Sequence, residues 1–291
     1  MLARSAVRLA WLMTALVVVA SACSPAGAPR ATSKTSSTAA HPDVAKASPT
    51  PTPSPSEPSP SEPAPPPSPP EGACYRLSFD ELAQSANNDH PYLCGKRHTT
   101  QTIFVGRLHA TDGVDSDAAR AQMSRVCPRR MKHYLGGSRT DRHLSRFNVV
   151  WFVPSPEQAA AGARWFRCDV IAFGRSGHLY PLPRPRRLHG LLDGSAALGS
   201  YGLCGTAAPG SAHFERVICA RHHSWRAVST IRFAGDTYPG RHAVRAEGNG
   251  ICKDRARAQA GLSLRYSYGW EWPTHQQWRN GQHYGFCWAP G

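Results

Sequence analysis

Carboxylates are scarce in this sequence. Asp and Glu total 19 against 34 Lys and Arg in 291 residues, for a formal net charge of +15. Lysine occurs only at 34, 46, 96, 132 and 253, so nearly all the positive charge is arginine. No Gly-x-Ser-x-Gly, His-Glu-x-x-His or phosphate-cradling glycine loop occurs, which removes the hydrolase, metalloprotease and nucleotide classes that such motifs carry. Asp80, Glu81, Glu157 and Asp169 share no repeated spacing, so no pattern asks for the paired acids of glycoside hydrolysis. There is no Cys-x-x-Cys pair, which weakens zinc as a use for the cysteines. No apolar run is long enough for a lasting membrane span. Leu9 to Ala20 (LAWLMTALVVVA) falls short of the roughly 20 residues a bilayer needs.

What is present at the front is an export signal. Arg4 and Arg8 precede the apolar run, which ends in Ala20-Ser21-Ala22-Cys23. Small residues before a cysteine resemble the bacterial lipoprotein signal, in which that cysteine takes a diacylglyceryl group. The expectation is a signal peptide over 1–22 and lipidation at Cys23, holding the chain on the outer face of the cell membrane. Residues 23–72 are Ser, Pro, Thr and Ala with almost nothing large and apolar, and read as a disordered linker. At about 3.1 Å per residue such a chain reaches roughly 150 Å. An exported basic surface suits acidic cell-wall polymers or envelope proteins, and not nucleic acid.

Beyond the linker the cysteines repeat. Cys94 and Cys219 stand 125 positions apart, as do Cys127 and Cys252. At a constant offset of 119, Trp151 matches Trp270, Pro154 matches Pro273, Gln158 matches Gln277, Gly162 matches Gly281, Trp165 matches Tyr284 and Cys168 matches Cys287. Each half therefore reads as one α+β module, strand, helix, strand, short helix, strand. The strands fall near 99–108, 147–153 and from 165, and near 224–233, 264–272 and from 284. The long helices are Ser116 to Tyr134 and Val244 to Leu262, the second weakened by Gly248 and Gly250. Module boundaries are expected at 73–175 and 202–291, with 176–201 as the link.

A leading Cys, Cys-x-x-x-His before a strand (Cys94 to His98, Cys219 to His223), a helical Cys and an aromatic-Pro stretch running to a final Cys resemble the actinobacterial septum formation family. The resemblance covers about 72–174 and 202–288. It implies export, an actinobacterial envelope and a link to division, and it transfers no catalytic residue.

Eight cysteines in an exported chain read as four bridges. Between the halves, the first-to-second and third-to-fourth cysteine spacings change, as loops closed by bridges would. The expected pairs are Cys74–Cys94, Cys127–Cys168, Cys204–Cys219 and Cys252–Cys287. His98 and His223 recur and are candidate ligand-binding residues, although half-buried loop-capping imidazoles fit the pattern better. Trp165 and Tyr284 are further candidates, with packing against the bridges as the plainer role. The clusters Arg129-Arg130-Met131-Lys132 and Arg184-Pro185-Arg186-Arg187 read as solvated surface. The expected function is non-catalytic binding or scaffolding in the cell envelope, with no metal or cofactor. The alternative is an enzyme acting on cell-wall polymer at a site between the modules.

Overall fold

The computed structural model describes residues 64–109, 112–261 and 264–291, all within one compact unit, Pro60–Gly291. The signal peptide, Cys23 and most of the linker lie outside the described residues. No helix among the described residues is long and apolar enough to cross a membrane.

The elements in order are β1 (Cys74–Tyr75), β2 (Thr100–Arg107), α1 (Asp117–Leu135), α2 (Arg139–Leu144), β3 (Phe147–Phe152), α3 (Pro156–Ala160), β4 (Trp165–Arg175), β5 (His178–Leu179), α4 (Pro185–Leu188), α5 (Ala197–Tyr201), β6 (Leu203–Gly205), β7 (Arg216–Ile218), β8 (Trp225–Arg232), α6 (Arg241–Gln259), β9 (Gly269–Glu271), α7 (His275–Arg279) and β10 (Tyr284–Pro290). They form a mixed α+β fold with two five-stranded sheets. One runs β1-β2-β4-β3 with β5 added to β4; the other runs β7-β6-β8-β10-β9. All strand pairs are antiparallel.

In the first sheet β4 is central. Its run WFRCDVIAF is apolar or buried almost throughout because both faces are covered. On one face lies α1, opened by Ser116, whose hydroxyl accepts from Ala119 N, and burying Ala119, Met123, Cys127 and Leu135. The other face is covered by residues 76–98, whose Leu77 and Leu82 pack on Tyr75 and Phe152 and whose Asn87 reaches Arg167. The tail of the linker lies along β2: Glu71 Oε1 accepts from Val105 N at 2.8 Å, and Gly72 N donates to Thr102 O at 2.9 Å.

The second sheet repeats the strand order β6-β8-β10-β9 and carries α6 on one face. That helix continues through Gly248 and Gly250, where interruption was expected. Gly248 is required by packing, since a Cβ there would run into the Trp270 indole, which donates to Val244 O at 3.2 Å. The strand expected over 264–272 is shorter and spans only Gly269–Glu271. Four disulfides are present, Cys74–Cys94, Cys127–Cys168, Cys204–Cys219 and Cys252–Cys287, the same pairs the sequence spacing gives. The second and fourth each tie a long helix to the central part of a sheet. The short helices α3 and α7 open with the same capping box, Ser155 with Gln158 and Thr274 with Gln277.

Residues 176–201, expected only as a link, also build core. Leu182, Leu188, Leu192 and Ala197 pack in one cluster with Leu135, Phe147, Val170 and, from the other sheet, Ile218. Conversely Leu144 of α2 packs with Leu203, Ala227, Phe286 and Trp288. The two halves therefore share buried apolar surface, and Arg146 N donates across the seam to Tyr201 O at 2.8 Å.

Candidate functional site

The seam between the sheets opens into a cleft of about 530 Å³. Its cations are Lys132, Arg139, Arg142, Arg146 and Arg216; its aromatics include Phe173, Tyr284 and Phe286; no Asp or Glu lines it. A smaller recess of about 210 Å³ shares Arg139, His143 and Tyr284 and adds Arg232.

The cations are placed by local structure. Ser138 opens α2 with a capping box: its hydroxyl accepts from Asp141 N at 3.1 Å, and Asp141 Oδ2 accepts from Ser138 N at 2.9 Å. That use engages the one carboxylate of α2 in backbone bonds. Arg139, Arg142 and His143 follow at helical spacing, which puts them on one side of the short helix. Arg142 donates to the carbonyls of Gly136 and Gly137, finishing the end of α1. Arg146 Nε donates to Phe173 O at 3.0 Å. Burial first, then the neighbouring Arg216 charge, pulls the Arg146 guanidinium down to about 10, with Glu215 opposing. Arg216 is ion-paired with Glu271, which also accepts from Trp288 Nε1 at 3.1 Å. Among the described residues, Arg139, Arg142, Arg146 and Arg232 form no ion pair.

His143 stacks on Tyr284 with ring centroids 3.7 Å apart and 3° between planes. Burial, followed by the charges of Arg139, Arg142 and Arg232, lowers its pKa to about 4. The imidazole is thus neutral at physiological pH, and its Nδ1 is buried without a partner. Burial also raises the Tyr284 phenol, against the pull of Arg216. The arrangement gathers several desolvated or unpaired guanidiniums, a neutral ring N and flat aromatic walls around one cleft, groups whose chemistry complements an anion.

Of the residues singled out from sequence, Tyr284 reaches this cleft. His98 is buried elsewhere, its Nδ1 2.9 Å from Lys96 O. His223 holds the matching contact, 2.8 Å to Arg221 O, so both imidazoles close the loop after a bridged cysteine. Trp165 is buried at the start of β4 near the linker tail, away from the cleft. The sequence reading missed Arg139, Arg142, His143, Arg146 and Arg216. The signal available was Ser-x-x-Asp at 138–141, a helix start, followed by cations three and four residues apart. No group of three His, Cys, Asp or Glu able to hold a metal exists among the described residues.

A disulfide-bonded α+β protein with a cationic seam is the class that this geometry defines. The model of the septum formation family matches residues 138–287, just over half the chain, and the chain belongs to that family. The match opens on Ser138 of the capping box and closes on Cys287 of β10. It runs through both sheets, and so does not follow the expected module boundaries of 73–175 and 202–291. No curated protein and no solved structure matches the chain.

Proposed function

We propose that this protein is an exported, lipid-anchored member of the septum formation family that binds an acidic polymer of the cell envelope in its inter-sheet cleft. In this reading it is not an enzyme, and its folded part arose by tandem duplication of one bridged module. The observation that carries the binding role is the convergence of Arg139, Arg142 and Arg146 in a cleft with no lining carboxylate. An anion there would offset the burial of the Arg146 guanidinium and the Arg216 charge beside it, which together lower its pKa. The duplication rests on the shared strand order, the paired bridges and the matched capping boxes. A function near the division septum accords with the family match.

The test is retention on purified cell wall across a salt series, comparing the unaltered protein with Lys132→Gln/Arg139→Gln. Both side chains are exposed, so the fold is unaffected. Retention should fall severalfold in the variant at physiological salt. Equal retention of both proteins would remove the cleft from the account. Release of soluble fragments from peptidoglycan by the purified protein would overturn the non-enzymatic reading.

A further inference from the structure

The Cys74–Cys94 bridge holds a turn whose tip is apolar. Leu93 is 71% exposed and Tyr92 43%, two of the few large apolar side chains left in solvent among the described residues. The turn is fixed: Tyr92 N donates to Cys74 O at 2.6 Å, Lys96 N donates to Leu93 O at 2.9 Å, and the disulfide sits between them. Beside it lies a hollow of about 490 Å³ walled by Cys94, Gly95 and the segment Arg184–Arg187. A backbone bond from Leu182 N to His98 O, 3.0 Å, keeps that segment against the turn. Lys96, Arg184, Arg186 and Arg187 are all exposed, and none is ion-paired among the described residues. At the matching bridge of the other sheet, Cys204–Cys219, the residues before the second cysteine are Val217 and Ile218 of β7, apolar but buried. The apolar tip is therefore a property of this turn and not of the bridge.

We infer that this tip is a docking surface for an anionic phospholipid bilayer. A soluble polyanion would engage the guanidiniums and leave Leu93 in water. A bilayer satisfies both features: Leu93 and the Tyr92 ring enter the boundary between headgroups and acyl chains, while the cations meet lipid phosphates. Because the turn is already ordered, little conformational entropy is lost on insertion. The surface is separate from the inter-sheet cleft and does not depend on the function proposed for it.

The fragment 60–291 contains both sheets and all four bridges, and so tests the surface without any N-terminal anchor. It should co-sediment with vesicles of equal parts phosphatidylglycerol and phosphatidylcholine, and not with phosphatidylcholine alone. Leu93→Glu should lower that binding about tenfold or more, and Arg186→Gln/Arg187→Gln by a similar factor. Arg139→Gln, in the cleft, should leave it unchanged. Absence of binding to the anionic vesicles overturns the inference. So does a silent Leu93→Glu alongside a damaging Arg186→Gln/Arg187→Gln, which would reduce the patch to plain attraction for polyanions.

Discussion

The two sheets place opposite chemistry at matching positions. Either side of the bridged cysteine, β4 carries Arg167 and Asp169, whereas β10 carries Phe286 and Trp288. All four side chains are buried. Arg167 Nε lies 3.3 Å from Asp169 Oδ2, Nη2 donates to Asn87 Oδ1 at 2.7 Å, and the guanidinium rests 3.8 Å over the Tyr75 ring. Thr102 Oγ1 donates to Asp169 Oδ1 at 2.8 Å. In the other sheet the equivalent face is an apolar cluster of Leu203, Ala227, Phe286 and Trp288 that receives Leu144. The difference follows from what covers each face. The Asn87 side chain from residues 76–98 and Thr102 of β2 reach the ions of the first face; an apolar helix end closes the second and offers an ion no such partner.

The comparison breaks most severely at the ion pair. Asp169→Ala strands a buried guanidinium and should cost about 3–5 kcal/mol in urea unfolding. Arg167→Met/Asp169→Leu, which makes the first face resemble the second, should cost far less than the single change. If the single and double variants lose equal stability, the pair is not coupled as described.

Next come the bridges. Removing Cys127–Cys168 should cost about 2–4 kcal/mol, and about 0.9 kcal/mol more than removing Cys204–Cys219, because the chain separations are 41 and 15. Chemical denaturation of the paired Ala variants measures the difference.

Glycine substitution separates the two long helices at smaller cost. Gly248→Ala forces the helix away from Trp270 and should destabilise by about 1–3 kcal/mol. Gly250→Ala meets open space and should be neutral or stabilising by up to about 1 kcal/mol, from helix propensity. Thermal melts of the two variants distinguish these outcomes.

The pH dependence is the finest contrast. Burial raises the Asp169 carboxyl from 3.8 to about 6, against the pull of Arg167 and Thr102. Between those values the folded state binds the extra proton, so this group favours folding at acid pH and loses that contribution as pH rises to 6. His143 is the reverse: lowered from 6.5 to about 4, it favours folding above 6.5 and loses that contribution as pH falls. Stability measured from pH 5 to 6.5 should slope downward with rising pH in His143→Phe, because the lowered Glu81 and Glu157 carboxyls act below that window and Asp169 acts within it. A flat profile in that variant would remove Asp169 from the pH account.

Much of this fold was legible because cysteine spacing and the offset of 119 align residues that end up in equivalent strands. The long helices and central strands fell where periodicity and proline stops put them. The parts not legible are those set by tertiary packing. Gly248 reads as a helix breaker until the Trp270 ring lies against it. Residues 176–201 read as a link because their prolines and glycines mask Leu182, Leu188 and Leu192, which find their partners only once both sheets are in place. The cleft was hidden for a similar reason. Arg139, Arg142 and His143 announce a charged helix face, but nothing local says that Arg216 and Tyr284 will close around it.

The linker tail has a mechanical corollary. Glu71 and Gly72 fasten the chain to β2 a few residues before it reaches Cys74. A pull arriving through the linker would reach hydrogen bonds spread along one strand, then a covalent sulfur link, before straining the seam. If the chain is anchored and binds as proposed, tension and ligand recognition would fall on different parts of the molecule, leaving the cationic cleft undeformed while the linker is stretched.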